Sequence, residues 1–427
     1  MSDVAPDSLA ALSSRRLRDP AAWIAATDVC FILVAVFLPW STTLVAIFAV
    51  AALVAMAPFF DRQAFLQSLS HPASLLPVAL FVLVLAGTLW SDAPWGARMH
   101  AVGPTAKLLM VPVLFYHFER STRGVQVFTA FLISCIVLMA MSWLVAFDPR
   151  LALKSTAEYG VPVKNYIDQS QEFALCAILL AYPVAGLVRQ GRIVPALLLS
   201  AIAMGFLVNM TFVVVSRTAL VTMPVMLAVF ALLHLRWRTS LIIFGTAIVL
   251  AGLAFAASPK LRWTVETFSR DYTLYKEQNR ATSMGLRLEF WKKSLQFIAE
   301  APLVGHGTGS IKGLFEQAAV GPAGGATAEV IANPHNQTLN VAVQWGLLGV
   351  VVLYAMWFSH LMLFRGDGLV AWIGLMVVLQ NFFTSLFNSH LSDFNEGWIY
   401  VLGVGIAGAG MLKRRSQEVS AGTSNHV

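Results

Sequence analysis

The chain has 427 residues, of which 58% are hydrophobic and 12% charged. Soluble domains carry about 25% charged residues, so the composition excludes an ordinary water-soluble globule and points to a polytopic membrane protein. The formal net charge of +7 is no sign of nucleic-acid binding, because the basic residues form no patch and sit mostly in short connections between apolar runs.

The first 20 residues are polar and hold Arg15, Arg16 and Arg18. No small-residue cleavage site follows the first apolar run, so that run is expected to be a retained span and not a signal peptide. Apolar runs of membrane-crossing length predict an all-α protein of about twelve transmembrane helices. They fall near 21–40, 42–60, 73–90, 101–118, 125–147, 169–188, 193–215, 219–235, 241–257, 337–364, 369–387 and 397–412. The tenth is long enough to begin outside the hydrocarbon or to tilt. Cys30, Cys135 and Cys176 each lie inside an apolar run without metal-ligand spacing, and read as small buried hydrophobes.

Orientation follows from Lys/Arg in the short connections. With the N-terminus in the cytoplasm, fourteen fall on the inner side and five on the outer, namely Arg98, Arg150, Lys154, Lys164 and Arg217. Both termini are therefore expected in the cytoplasm. The expected division is helices 1–9 over residues 1–257, a large outer loop over 258–336, helices 10–12 over 337–412, and a tail over 413–427 that reads as disordered. A 79-residue loop in a bundle of short connections is functional or disordered. Its tryptophans, helical patterning and glycine punctuation predict order.

Within that loop, SMGLRLEFWKKSLQFIAEAP runs from Ser283 to Pro302. Met284, Leu288, Trp291, Leu295 and Ile298 recur at helical spacing and predict an amphipathic helix lying apolar face down at the outer interface. Arg287 neighbours Trp291 on one flank of it. The guanidinium either snorkels or aims its fork at a phosphate near the headgroup plane. PLVGHGTGSIKG, Pro302 to Gly313, alternates Gly305, Gly307 and Gly309 without the Lys-Ser/Thr pair of a nucleotide loop. Such glycines make a tight turn or let backbone N–H groups approach a ligand. His306 reads as structural.

Arg217, in FVVVSRTALVTM, sits between two spans at the outer boundary of the membrane and needs a partner or water. NPHNQTLNVAVQWGLLG, Asn333 to Gly349, places a polar knot at the mouth of the tenth helix. Asn333 or Asn336 suits a helix cap. His335 would then lie at the lip of the bundle, either without chemistry or as a base for an alcohol proton. Arg217, Arg287 and His335 fall on the same face by topology alone. Lys107 and Asp28 are expected to pair or face a cavity. Asp92, His100, His390, Asp393 and Glu396 read as solvated loop positions or as lining of the same cavity. There is no D-x-D and no H-E-x-x-H, so no metal or cofactor site is indicated. Chemistry on the outer face cannot draw on cytoplasmic nucleotides, so its donor must arrive already carrying a leaving group, as a lipid-linked diphosphate does.

Three stretches carry a resemblance: SRTAL at 216–220, RLEFWKKSLQFIAEAPLVGHGTGSI at 287–311 and NPHNQTLNVAVQWGLLGVVVLY at 333–354. In this order, with one large outer loop among twelve spans, the chain resembles the O-antigen ligase family, within the wider group of O-antigen ligases, polymerases and related oligosaccharyltransferases. The resemblance implies an integral-membrane glycosyltransferase of the GT-C type. It would move a polysaccharide from undecaprenyl diphosphate to the lipid A–core oligosaccharide at the periplasmic face of a bacterial inner membrane. It implies His335 as the catalytic residue and Arg217 and Arg287 as diphosphate ligands. Trp291, Gly305, Gly307, Asn336 and Gln337 are expected to support them, with Asn336 and Gln337 orienting the histidine or the sugar. The partners implied are the lipid-linked donor, the lipid A–core acceptor and membrane lipids, with no nucleic acid, cofactor or metal. The rival readings are an O-antigen or exopolysaccharide polymerase, a protein O-oligosaccharyltransferase and, from another class, a twelve-span transporter or flippase.

Overall fold

Hydrocarbon offers no hydrogen-bond partners, so a chain this apolar satisfies its backbone within helices. The computed structural model describes residues 19–154 and 159–424, and among these the regular elements are helical throughout. The first arginine cluster, Arg15, Arg16 and Arg18, lies outside the described residues.

The described residues open with α1 (Pro20–Phe37) and α2 (Thr42–Met56), capped by Asp19 and Ser41. The short α3 (Arg62–Leu69) meets α4 (Pro72–Ala86) at a bend of 88°. Next, α5 (Trp95–Val102) and α6 (Met110–Arg120) are joined by a 3-10 stretch, Gly103–Leu109. The single helix expected at 101–118 is therefore three segments, with Pro104 unable to donate where the α-helix gives way. Then follow α7 (Gly124–Phe147), α8 (Tyr166–Arg189), α9 (Ile193–Phe212), α10 (Arg217–His234) and α11 (Trp237–Ala257). The long connection folds into α12 (Pro259–Gln278), α13 (Ser283–Glu300) and α14 (Ile311–Gln317), so the expected order is present. Last come α15 (Gln337–Leu363), α16 (Leu369–Thr384) and α17 (Phe394–Ser424). The tail expected to be disordered is thus helical as far as Ser424.

Among the described residues, nine helices are long and apolar enough to cross a membrane, or ten if the bent pair α3–α4 is one span. The chain is an all-α polytopic membrane protein. The remaining two of the twelve expected spans are helices that fall short of that standard. α16 has 16 residues, short for a hydrocarbon core of about 30 Å, and α17 is polar at its start (Asn395, Glu396) and from Lys413 onward.

Phe31, Leu114, Phe115, Phe173, Phe206, Met226, Trp372 and Tyr400 are fully buried in one continuous core. Two buried pairs inside it satisfy polar groups in low dielectric. Asp28 meets His117 at 2.8 Å, and His360 bonds Tyr400 and the Ala73 carbonyl at 2.6 and 2.8 Å.

A second core, Phe290, Phe297, Ile311, Phe315 and Val343, joins α13 to α14 and α15. This corrects the expected face of α13. Gly285, Glu289, Phe290, Lys293, Ser294 and Phe297 are the buried positions, whereas Leu295 of the expected stripe is 60% exposed. The helix packs on protein with one face and keeps a different apolar flank outward.

α15 is broken at Gly346, whose φ of 58° is not helical. In an unbroken helix Leu347 N–H would bond Val343 O, and Leu348 N–H would bond Gln344 O. Here Leu347 N–H bonds Pro302 O at 2.8 Å and Leu348 N–H bonds Leu303 O at 3.2 Å. The freed carbonyls of Val343 and Gln344 accept from His306 N–H and Gly307 N–H at 2.9 and 2.8 Å. Gln344 Oε1 also accepts from Gly309 N–H at 2.8 Å. Two helical hydrogen bonds are exchanged for four to the 302–309 loop, and the N–H and C=O groups those two bonds would have used are all paired.

That exchange explains the glycines and corrects the role expected for two of them. A Cβ on Gly305 (φ 64°) would lie 2.5 Å from the Gln344 carbonyl carbon, and one on Gly307 (φ 83°) would lie 2.5 Å from Ser91 Cα. They are the close approach of backbone to backbone and do not line a ligand pocket. His306 is structural, with Nε2 on the Phe297 carbonyl at 2.8 Å.

Gly191 has a similar φ of 72° but open space around it, so Gly191→Ala is expected to cost only about 1 kcal/mol. Gly305→Ala and Gly346→Ala are each expected to cost about 2 kcal/mol more. Unfolding midpoints of the purified variants in one detergent check this, and equal midpoints for the three would refute the exchange as a source of stability.

Candidate functional site

The end of the bundle that carries α12 and α13 holds a cationic pocket. Its construction begins where α9 ends. Val213 N–H and Val214 N–H both bond Asn209 O, at 2.8 and 3.0 Å, and the chain runs non-helically through buried Val215 and Ser216 to Arg217, the first residue of α10. Ser216 makes no side-chain cap, so the first N–H groups of an 18-residue helix remain for an anion. Arg217, Thr218, Tyr166, Lys260, Trp263 and Arg287 are among the residues around a cavity of about 320 Å³. It joins the starts of α8 and α10 to α12 and α13.

The two arginines differ. Arg217 is compensated: its Nη1 lies 3.2 Å from Asp271 Oδ2, and its guanidinium stands 4.7 Å from the Phe268 ring centre. Arg287 has no carboxylate within ion-pair distance among the described residues. Burial, then the positive charge of Arg217, lowers its pKa. Two guanidinium groups close enough to repel, of which Asp271 meets one, form a site suited to an anion.

His335 lies beside this pocket, close enough that Arg287 acts on its ionisation. Its φ of 53° is left-handed, unusual for a residue with a side chain and worth about 1–3 kcal/mol of local strain. Its N–H donates to Asn333 Oδ1 at 3.0 Å, and Asn333 Oδ1 also accepts from Ser389 Oγ at 2.7 Å. The ring stacks on Phe290 of α13, centroids 6.1 Å apart and 24° between planes. Nδ1 lies 2.8 Å from Asn388 Oδ1. Burial lowers the pKa of His335; the bond to Asn388 opposes that shift, and the charges of Arg287 and His390 add to it. The imidazole is therefore neutral at pH 7, with Nε2 uncommitted among the described residues.

The amides expected to orient this histidine do other work. Asn336 caps α15, accepting from Leu339 N–H at 3.1 Å and donating to Leu386 O at 3.1 Å. Gln337 is 3% exposed. Its Oε1 accepts from Leu391 N–H at 3.1 Å, and its backbone N–H bonds Ser385 O at 2.8 Å. Neither is paired with His335; both tie α15 to the loop after α16. Asn333 and Asn388 hold the ring in their place. Trp291 packs on the second core with Nε1 buried and unpartnered, and does not line the cationic pocket.

Below Asn388 a buried polar cluster begins. Asn388 Nδ2 donates to Asp393 Oδ2 at 2.9 Å, and His390 Nδ1 lies 3.5 Å from both Asp393 Oδ2 and Glu396 Oε1. Lys107 Nζ donates to the carbonyls of Ser392 and Asp393. His390 is 1% exposed, so it is a core residue and not the solvated loop position expected. One ligand atom from each of His390, Asp393 and Glu396 falls within 4.8 Å of the others, a grouping that could hold a cation. The cluster also balances its own charge. Burial opposes a proton on His390, but Glu396 and Asp393 outweigh it and raise the pKa. Burial lifts Asp393 to about 6 against the pull of His390.

Sequence reasoning therefore found Arg217, Arg287 and His335, which the fold gathers at one end of the bundle. It missed Asp271, Lys260 and Asn388. The match of residue types gave no sign of Asn388, which is 53 positions from the histidine it meets.

Residues 199–354 match the family model described as O-antigen ligase. An uncharacterized protein of Haemophilus influenzae is 30% identical over 143 residues, which is 32% of this chain and 36% of that protein. The chain thus spans about a third of the length of that curated relative. The family match contains Arg217, Arg287, His335 and the Gly346 break, that is, both arginines, the histidine and the device that docks the 302–309 loop: it is through this segment that the chain is similar to the O-antigen ligase family.

Proposed function

We propose that the chain transfers a polysaccharide from undecaprenyl diphosphate to a sugar hydroxyl of the lipid A–core oligosaccharide, at the periplasmic face of the inner membrane. The observation that carries this reading is a half-buried arginine without a counter-charge among the described residues, Arg287, sharing a cavity with Arg217 beside a histidine whose Nε2 is uncommitted.

In the reaction the acceptor oxygen forms a bond to the anomeric carbon as the bond from that carbon to the diphosphate oxygen breaks. The acceptor proton passes to His335 Nε2, and undecaprenyl diphosphate leaves with the electron pair. A single displacement inverts the anomeric centre. Diphosphate is a good leaving group, so the protein's task is to stabilise charge and not to supply a general acid. Arg217, Arg287 and the N-terminus of α10 line the cavity where that charge would develop. The fork of a guanidinium suits a bidentate phosphate contact, and the neutral imidazole suits the base.

The test uses purified protein, a lipid-linked O-antigen donor and lipid A–core acceptor with EDTA present, read on a gel that resolves glycan ladders. His335→Ala is expected to lower kcat by about 10²- to 10⁴-fold, and Arg287→Ala by about 10²- to 10³-fold. Transfer to a second lipid-linked glycan, with none to lipid A–core, would replace the ligase reading by a polymerase. Retained transfer in His335→Ala would remove this histidine from the chemistry.

The rate is also expected to depend on pH with one acid limb. The neutral form of His335 is the active one, and its pKa is lowered. kcat/KM should therefore be flat above the ordinary histidine range and fall only as pH drops through the lowered value. An acid limb at or above the ordinary range would count against this assignment.

Topology is tested separately. The side chain of Lys312 is 64% exposed. In Lys312→Cys, a membrane-impermeant maleimide is expected to react from the periplasmic side. Labelling only after the inner membrane is opened would put the 258–336 segment in the cytoplasm.

A further inference from the structure

We propose that Asn388 is the positioning residue of His335: it accepts a hydrogen bond from Nδ1–H, and so fixes the tautomer in which Nε2 carries the lone pair that faces the acceptor hydroxyl. This rests on the reading of His335 as the base.

One amide joins His335 to the buried cluster. Asn388 has an oxygen that accepts and a nitrogen that donates, and its two ends are told apart by their neighbours. One end faces Asp393 Oδ2 at 2.9 Å. An ionised carboxylate only accepts, so that end is the NH₂ group. The other end, 2.8 Å from His335 Nδ1, is therefore the carbonyl oxygen, and Nδ1 must be the protonated nitrogen. A neutral imidazole has one N–H, so Nε2 is the acceptor.

Asp393 is held in turn. Its backbone carbonyl receives Lys107 Nζ, and His390 stands 3.5 Å from its Oδ2. The ring cannot swing away to a second tautomer without cost. Its backbone is anchored to Asn333 Oδ1 at 3.0 Å, and its face lies on Phe290. Asn388 is thus placed by the buried cluster, and His335 by Asn388. The amide passes no proton. It selects which nitrogen does.

The experiment uses the full chain in lipid nanodiscs with ¹⁵N-labelled histidine. The His335 signals are assigned by their loss in His335→Ala. Wild type is expected to show a neutral ring protonated at Nδ1. In Asn388→Leu, which has no acceptor, the ring is expected to become a mixture of tautomers or to carry its proton on Nε2. kcat should fall by about 10- to 100-fold, with KM unchanged. Asn388→Asp keeps an acceptor, so it should keep the Nδ1–H form and retain transfer, with the acid limb of the rate profile moved to higher pH because a carboxylate favours the imidazolium. Asp393→Asn leaves Asn388 untouched but lets its amide face either way, and should produce a mixed tautomer. It serves if the leucine variant does not fold.

An unchanged Nδ1–H signal in Asn388→Leu and Asp393→Asn would overturn the proposal. So would a ring protonated at Nε2 in wild type. A tautomer change without loss of kcat would support Asn388's hold on the ring while removing His335 as the base, so that the proposed function and not this inference would fall.

Discussion

The backbone exchange at Gly346 is the constraint on which the site depends. Inside a membrane an unpaired N–H or C=O costs several kcal/mol, so α15 could break only if something else satisfied the groups the break releases. The 302–309 loop does so, with Pro302, Leu303, His306 and Gly307 taking the places that Leu347, Leu348, Val343 and Gln344 would fill for one another. This fixes the C-terminal end of α13 against α15, because Pro302 follows Glu300 by two residues. Phe290 and Phe297 then settle on Val343 and Phe315. Once α13 is locked in register, Phe290 lies against His335 and Arg287 faces the start of α10. A loop that resembles a phosphate cradle by composition acts instead as a clasp, and the cationic pocket lies elsewhere.

Charge is sorted into two regions that differ in how they are satisfied. The cluster around His390, Asp393 and Glu396 extends through Asn395, which donates to Glu172 at 2.6 Å and accepts from Lys164 at 2.8 Å. Each member has an opposite charge or an amide beside it, as buried ions require. The cavity beside the start of α10 is lined by Arg217, Lys260 and Arg287; Arg217 is paired with Asp271, and Arg287 has no carboxylate within ion-pair distance among the described residues. An arginine so placed suits a multiply charged anion.

Much of this was legible in the chain. All twelve apolar runs are helical, Asn336 caps the helix it was expected to cap, and the long connection is ordered. The failures have a common cause. On α13 the stripe Met284, Leu288, Trp291, Leu295 and Ile298 is genuinely apolar, but in a membrane protein a face that meets lipid and a face that meets protein have the same composition. Periodicity detects the helix and not the partner. The Gly346 break is hidden for a similar reason, since Gly-Leu-Leu-Gly reads as unbroken apolar helix. Asp271 and Asn388 lie 54 and 53 positions from Arg217 and His335. No local pattern links residues so far apart, and only packing brings them together.

The coupling between Arg287 and His335 gives the proposed reaction an order. In the empty site the guanidinium charge is one of the influences that depress the basicity of the imidazole. A diphosphate placed on Arg217 and Arg287 would cancel that charge and add negative charge nearby, so the same imidazole would become a stronger base. The acceptor hydroxyl would then be activated only when a donor is in place. A weaker base in the empty site has a further effect. Water reaching Nε2 before the donor would meet an imidazole less able to take its proton, and the imidazole strengthens only once the diphosphate and its glycan occupy the space beside it. In the proposed reaction the spacing of two arginines and one histidine would thus do more than collect functional groups: it would make the base respond to a substrate charge that it does not touch.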